Sequence, residues 1–227
     1  GVISAPDAAG FQAGNVDGTL SILAAATAAG VHRFVHVSSL AAREPRLSLY
    51  GASKAKAEEL VCASGLDWAI VRPPAVYGPG DRETLELFKA ARLGIMPLPP
   101  AGRVSLIHVD DLSRLLLALA EPAAPARLVL EPDDGKDGGY THKEFARLLA
   151  TAQDRRALTL SVPAPIMRLG ARLDRLLRRD KAKLTPDRAA YFCHPDWVVD
   201  AARRPPAGLW QAEVTTEKGL EETADWY

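Results

Sequence analysis

"RFVHVSSLAAREPRLSLYGASK", Arg33 to Lys54, decides how the chain is read. Its first seven residues are rich in β-branched and aromatic side chains, which predicts a short buried strand ending at Ser38 or Ser39. From Tyr50 the run "YGASKAKAEELVCASG" carries helical composition and stops at Gly65, a residue suited to a left-handed cap. In that helix Tyr50 and Lys54 stand four residues apart and share one face. An ammonium close to a phenol favours the phenolate, so Lys54 is expected to lower the Tyr50 pKa from about 10 and make it an acid or base near neutrality. Ser39, at the carboxyl end of the strand, is placed to hydrogen-bond the same substrate oxygen, since ligands of open α/β sheets collect outside those strand ends.

The pattern extends both ways from this stretch. Upstream, Phe11 to Gly30 has Val16, Leu20, Leu23, Ala24 and Ala28 near helical spacing and ends in Gly30. Downstream, "DWAIVRPP" reads as a second buried strand stopped by Pro73 and Pro74. Helix, strand, helix, strand with short connections predicts right-handed crossovers and a parallel sheet. Beyond "VYGPGD" a helix is expected over 81–93, then "RVSLIHVDD" as a strand running into a helix capped by Asp110 or Asp111, then "ARLVLEP" as a further strand. After Gly135 the character changes: "THKE" is a capping box at Thr141 to Glu144, and the remainder reads as helical pieces separated by prolines. The expected organisation is a nucleotide-binding domain over 1–135 with interleaved substrate-lobe segments and a smaller, mostly helical substrate lobe over 136–227.

Composition narrows the function. The 227 residues are 48% hydrophobic, enough for a sizeable core, and 28 basic residues balance 28 acidic ones. No global field favours nucleic acid or an acidic membrane, a local basic patch stays open, and a small-molecule substrate is the expected partner. Cys62 and Cys193 form no disulfide framework, and neither they nor His142, His194 and "CHPDW" have metal-ligand spacing, so packing roles and no metal are expected. No apolar run has the length of a membrane span, the first residues lack a signal-peptide pattern, and a reducing cytoplasm is the expected compartment.

Four motifs in order, "GNVDGTLSILAAATAAGVHRFVHVSS", "YGASKAKAEEL", "VRPPAVYGPGD" and "LIHVDDL", resemble the extended short-chain dehydrogenase/reductase family, the NAD-dependent epimerase/dehydratase group. The resemblance covers residues 1 to about 135 and is loose beyond. It implies a Rossmann-like doubly wound parallel sheet and a catalytic set of Ser39, Tyr50 and Lys54. In that set Tyr50 is the acid/base, Lys54 holds the nicotinamide ribose and tunes Tyr50, and Ser39 orients the carbonyl. Ser38 is the alternative hydroxyl. Asn15 matches the helix Asn near the cofactor, and Pro73, Pro74, Ala75 and Val76 match the segment that passes the nicotinamide. Arg72 reads equally as an internal ion-pair partner or a ligand contact, and "HVDD" is a structural landmark. The resemblance implies NAD or NADP without choosing between them, and by analogy a homodimer.

The chain departs from the family at the front. The Gly-rich turn that meets the pyrophosphate and the residue that reads the ribose are not in this sequence, so the first strands are expected to lie upstream of residue 1, and these residues alone are expected to be inactive. A sheet without those strands would show an apolar edge. Ten residues separate Ser39 from Tyr50, a short loop for this family that leaves room for a larger or more apolar substrate. Three functions remain open: net NAD(P)-dependent oxidation or reduction at a hydroxyl or carbonyl, epimerisation of a nucleotide sugar, and a non-catalytic assembly role. A dehydratase is disfavoured because "SSLAAREP" lacks an acidic pair after the serines. Finally, "APIMRLGARLDRLLRRDKAK", Ala164 to Lys183, is expected to form a basic amphipathic helix. It reads as a solvated face, an anionic-substrate contact, or a membrane-surface or partner contact.

Overall fold

The structure is a computed structural model that describes residues 1–179, 182 and 184–227. The first helical run divides into α1 (Ala8–Phe11), a π-helical segment (Gln12–Asp17) and α2 (Gly18–Ala28). Gly30, at φ +67, turns the chain into β1 (Arg33–Val37). A short 3-10 turn (Leu40–Arg43) leads to α3 (Leu49–Ala63), and Gly65, at φ +73, returns it to β2 (Asp67–Val71). Both glycines occupy the left-handed region that costs other residues energy, which is why each helix stops where it does.

β1 pairs in parallel with β2 over Arg33–Val37 and Asp67–Val71, and β2 pairs in parallel with β7 (Leu128–Leu130). This β1-β2-β7 sheet, with α3 and α5 (Val109–Ala120) as crossovers, is the doubly wound α/β architecture expected from the strand–helix alternation. Ala69 and Val71 point to a core shared with Leu112, Leu115 and Leu119 of α5, while Ile70 points to the opposite face, against Leu23 of α2 and Val61 of α3. The alternation buries both faces of β2.

The remaining strands are short and tie the late chain to the early chain. β3 (Ala75–Tyr77) pairs with β6 (Leu106–His108). Between them lie α4 (Arg82–Arg92), capped by Asp81, β4 (Ile95–Leu98) and β5 (Arg103–Val104). β5 joins β8 (Tyr140–Thr141) on one side and β10 (Asp196–Trp197) on the other. α6 (His142–Thr151) opens on the expected capping box. α7 (Ala164–Arg178), α8 (Pro186–Phe192) and α9 (Thr216–Trp226) complete the helices.

Two expectations change. The stretch after Gly135 is not helices alone: β9 (Leu158–Ser161) pairs in parallel with β4, residue for residue from Ile95↔Leu158 to Leu98↔Ser161. "LTLS" has too few residues to announce a strand, and its partner lies 63 residues upstream at the same register. Nor do Asp110 or Asp111 cap α5. The cap is His108, whose Nδ1 accepts from the Asp110 backbone, while the Asp111 carboxylate turns inward to accept from the backbones of Glu213 and Val214 at 3.1 Å each. The basic amphipathic run forms α7 to Arg178; of its last residues, Asp180, Lys181 and Lys183 lie outside those described. Among the described residues no helix is long and apolar enough to cross a membrane, and no group of His, Cys, Asp or Glu has the makings of a metal site.

Candidate active site

β1 ends at Val37, and the chain leaves it through Ser38 and Ser39. Ser39 is extended and caps the 3-10 turn, its Oγ accepting from the Ala41 backbone at 3.2 Å. Ser48 caps α3 in the same way, accepting from Gly51 at 2.9 Å. That cap fixes the first turn of α3, which carries Tyr50. Ser39 and Tyr50 come together on one wall of a cavity of about 300 Å³, with Pro74 beside them and Arg175, Asp187 and Tyr191 supplied by the C-terminal part. The Leu49 backbone donates to Asp187 Oδ1 at 2.6 Å, fastening α8 to the start of α3.

The electrostatics of Tyr50 run opposite to expectation. Burial pushes its phenol above the ordinary value of 10.0, and the neighbouring Ser39 hydroxyl pulls it only part of the way back. The Lys54 Nζ donates to the Val37 carbonyl at 2.7 Å. Burial lowers the Lys54 pKa, and the nearby Glu58 carboxylate opposes that shift.

Asn15 sits in the π segment and is almost fully buried. Its Oδ1 accepts from the Val2 backbone at 2.7 Å, and its Nδ2 donates to the Val2 carbonyl at 2.9 Å and to Ser53 Oγ at 2.8 Å. Ser53 in turn donates to the Tyr50 carbonyl at 2.8 Å. Asn15 therefore acts as a clamp between the first residues and the helix that carries Tyr50. π segments are rare and often mark such functional positions.

Ser38 faces the other way. Its Oγ donates to Glu58 Oε1 at 2.5 Å beneath the sheet end, away from the cavity walls. Glu58 receives a bidentate pair from Arg72, 2.9 Å from Nε and 2.6 Å from Nη2. Arg72 also reaches Glu131, which holds Arg43 at 3.2 Å. Arg72 is thus an internal ion-pair partner. Pro73 is a backbone anchor, its carbonyl accepting from Leu40 at 3.0 Å, and Ala75 and Val76 open β3.

Sequence reasoning missed Glu58 and His36. Glu58 had a signal, since Tyr50, Lys54 and Glu58 repeat every four residues on one helix face. His36 had none. Buried beside Lys54, its pKa falls to about 4, first from desolvation and then from the ammonium, and its Nε2 has no partner among the described residues.

A parallel α/β sheet, with a cavity lined by Ser39 and Tyr50 beside the carboxyl end of β1, is the architecture of open nucleotide-binding α/β folds. Residues 2–93 match the NAD(P)H-binding family model. The ceramide reductase of Caulobacter vibrioides is 39% identical over all of this chain and 72% of its own length. The 4-hydroxy-2-methyl-3-oxo-4-farnesyl-3,4-dihydroquinoline-1-oxide ketoreductase of Stigmatella aurantiaca is 32% identical over 93% of this chain and 70% of its own. The UDP-glucose 4-epimerase of Vibrio cholerae is 29% identical over 66% and 52%. Among solved structures, the Bordetella bronchiseptica enzyme WbmG in complex with NAD and UDP superposes with a TM-score of 0.73 at 16% identity, over 100% of this chain and 70% of that one. The chain belongs to the NAD-dependent epimerase/dehydratase group of the short-chain dehydrogenase/reductase family.

NAD(P) is accordingly its cofactor. At the carboxyl end of β1 the buried Lys54 ammonium donates to the carbonyl of Val37, a residue that is itself 42% exposed, and a nicotinamide ribose bound there would meet that ammonium.

Proposed function

We propose that this chain reduces a ketone carrying a long apolar chain, with NAD(P)H as the reductant. The observation that carries the reading lies behind the catalytic cavity. Across Tyr191 and Phe192, which line both spaces, is a second cavity of about 220 Å³ walled by Met96, Leu98, Phe145 and Leu149. No Asp, Glu, Lys or Arg lines it, and burial lowers the pKa of its one histidine, His142, whose Nδ1–H donates to the Pro100 carbonyl at 2.9 Å. Such walls stabilise an alkyl or prenyl tail by removing it from water and offer nothing to a nucleoside diphosphate. The short Ser39–Tyr50 loop is consistent with this. Two relatives support it: the names ceramide reductase and farnesyl-bearing ketoreductase both denote reduction, and both denote molecules with long apolar chains.

A bound reduced nicotinamide supplies the hydride. The chain supplies the proton: Tyr50 O–H donates to the carbonyl oxygen as it becomes the alcohol, and its raised pKa keeps it protonated and ready as the acid at neutral pH. The Ser39 hydroxyl donates a hydrogen bond to the same oxygen. Lys54 holds the cofactor ribose, and Asn15 keeps α3 in place through Ser53. Ser38 supports this arrangement from below through Glu58 rather than by touching the ligand.

Steady-state rates of NADH and NADPH oxidation by the protein together with its native upstream residues, with 3-ketones of increasing alkyl length, test the proposal. Each buried methylene is worth about 0.8 kcal/mol, so kcat/KM for a twelve-carbon tail should exceed that for a four-carbon tail by about 10⁴ when the eight added methylenes are all buried. Rates indifferent to chain length, or turnover of a UDP-sugar with no net NADH oxidation, would overturn it.

A further inference from the structure

α7 is built inside out. At 100° per residue, Ile166, Leu169, Leu173, Leu176 and Leu177 fall within an arc of about 100°, the width of a face that normally meets a core. Here that face meets solvent: the five side chains are 50–80% exposed. Met167, Gly170, Ala171 and Asp174 turn toward the rest of the chain, and Ala171 alone is fully buried. The strand that leads into α7 continues the theme, with Leu158 and Leu160 of β9 and their register partner Ile95 exposed at 49–62%.

Along one edge of the apolar stripe run Arg168 and Arg172, with Arg179 at the C-cap, and Arg175 and Arg178 lie on the opposite side of the helix. The one acid on the helix, Asp174, is engaged by Arg178 at 3.3 Å and by the Leu184 backbone at 2.9 Å. Among the described residues, no carboxylate pairs with Arg168, Arg172, Arg175 or Arg179. A second copy meeting this face across a two-fold axis would set these guanidiniums against their own images, a like-charge contact. An anionic lipid surface meets both demands at once, taking the leucines at the acyl boundary and the guanidiniums at the phosphates.

We infer that α7 docks the protein on an anionic membrane surface through its exposed leucine stripe and flanking arginines. Arg175 lies on the opposite side of α7 from the leucine stripe and lines the cavity that holds Ser39 and Tyr50, so that cavity is not covered by docking through the stripe. The inference does not depend on the substrate reading above.

Cosedimentation of the purified protein with vesicles tests it, with no substrate present. Vesicles of phosphatidylglycerol and phosphatidylcholine at about 3:7 should pull down the protein, pure phosphatidylcholine should not, and added salt should weaken the binding. Leu173→Glu with Leu176→Glu changes only exposed positions and should cut anionic-vesicle binding at least tenfold, with thermal unfolding unchanged; Arg168→Glu with Arg172→Glu should do the same. Wild-type protein left in the supernatant with both vesicles, or a leucine variant that binds as well as wild type, would overturn the inference. So would a dimer in sedimentation velocity that the leucine variant dissociates while vesicles bind neither form. Because binding is read without turnover, its failure leaves the chain-length experiment standing.

Discussion

α3 and α7 are each 15 residues long, and they sort their side chains in opposite directions. α3 buries a lysine and a glutamate, Lys54 and Glu58, and each has a partner within hydrogen-bond reach: the Val37 carbonyl for one, Ser38 and Arg72 for the other. α7 buries one alanine and turns five aliphatic side chains to water. Charge goes inside where the chain itself completes the hydrogen bonds, because an unpartnered buried charge costs several kcal/mol. Apolar surface stays outside where the partner is not part of the fold. The first arrangement rigidifies a site, and the second presents a surface.

The contrast can be broken at three points of the α3 side. Tyr50→Phe removes the proton donor and leaves every ion pair beneath it intact. It should lower kcat/KM for ketone reduction by about 10³–10⁴-fold at unchanged thermal stability. Near-normal turnover in that variant would return the chain to the non-catalytic reading.

Arg72→Met acts below the site rather than in it. It leaves Glu58 and Glu131, both buried, without their shared cation, and should lower the unfolding free energy by about 3–5 kcal/mol. The readout is a urea midpoint that falls while the slope stays the same. A small loss would mean that water reaches the network and that the α3 side is less dry than its geometry suggests.

His36 sharpens the comparison through pH. Its folded pKa of about 4 lies below the ordinary 6.5, so in that window the unfolded chain binds a proton that the folded chain refuses. The stability it contributes is therefore full above pH 6.5 and is lost as pH falls toward 4, by about 3 kcal/mol in all. His36→Phe should flatten that part of a stability-against-pH curve. A slope identical to wild type would show that the ring is protonated in place.

Much of the first half of the fold was legible because its signals are local. β1, α3 and β2 announced themselves by β-branched runs and by Gly30 and Gly65, and Tyr50 and Lys54 by their spacing. What escaped depends on distant pairing. Arg72 meets Glu58 across 14 residues and Glu131 across 59, so nothing near Arg72 distinguishes a buried ion pair from a ligand contact. β9 becomes a strand because β4 lies beside it. The direction of the Tyr50 shift escaped for a related reason: helix spacing sets Lys54 near the phenol, whereas burial and the Val37 carbonyl, both products of the tertiary fold, decide where the ammonium points and which effect prevails.

The π segment at Gln12–Asp17 has a consequence for how this part of the chain can change over time. A π turn accommodates a surplus residue that an α-helix of the same span would not hold, and removing Val16 or Asp17 from it would let the helix close into ordinary α geometry. Continuity of the helix would survive the deletion, but every position before it would rotate by about 100° relative to α2. Asn15 would then lose Ser53 while still holding Val2. The locus is therefore tolerant as architecture and intolerant as a clamp, a place where a single-codon indel separates folding from function.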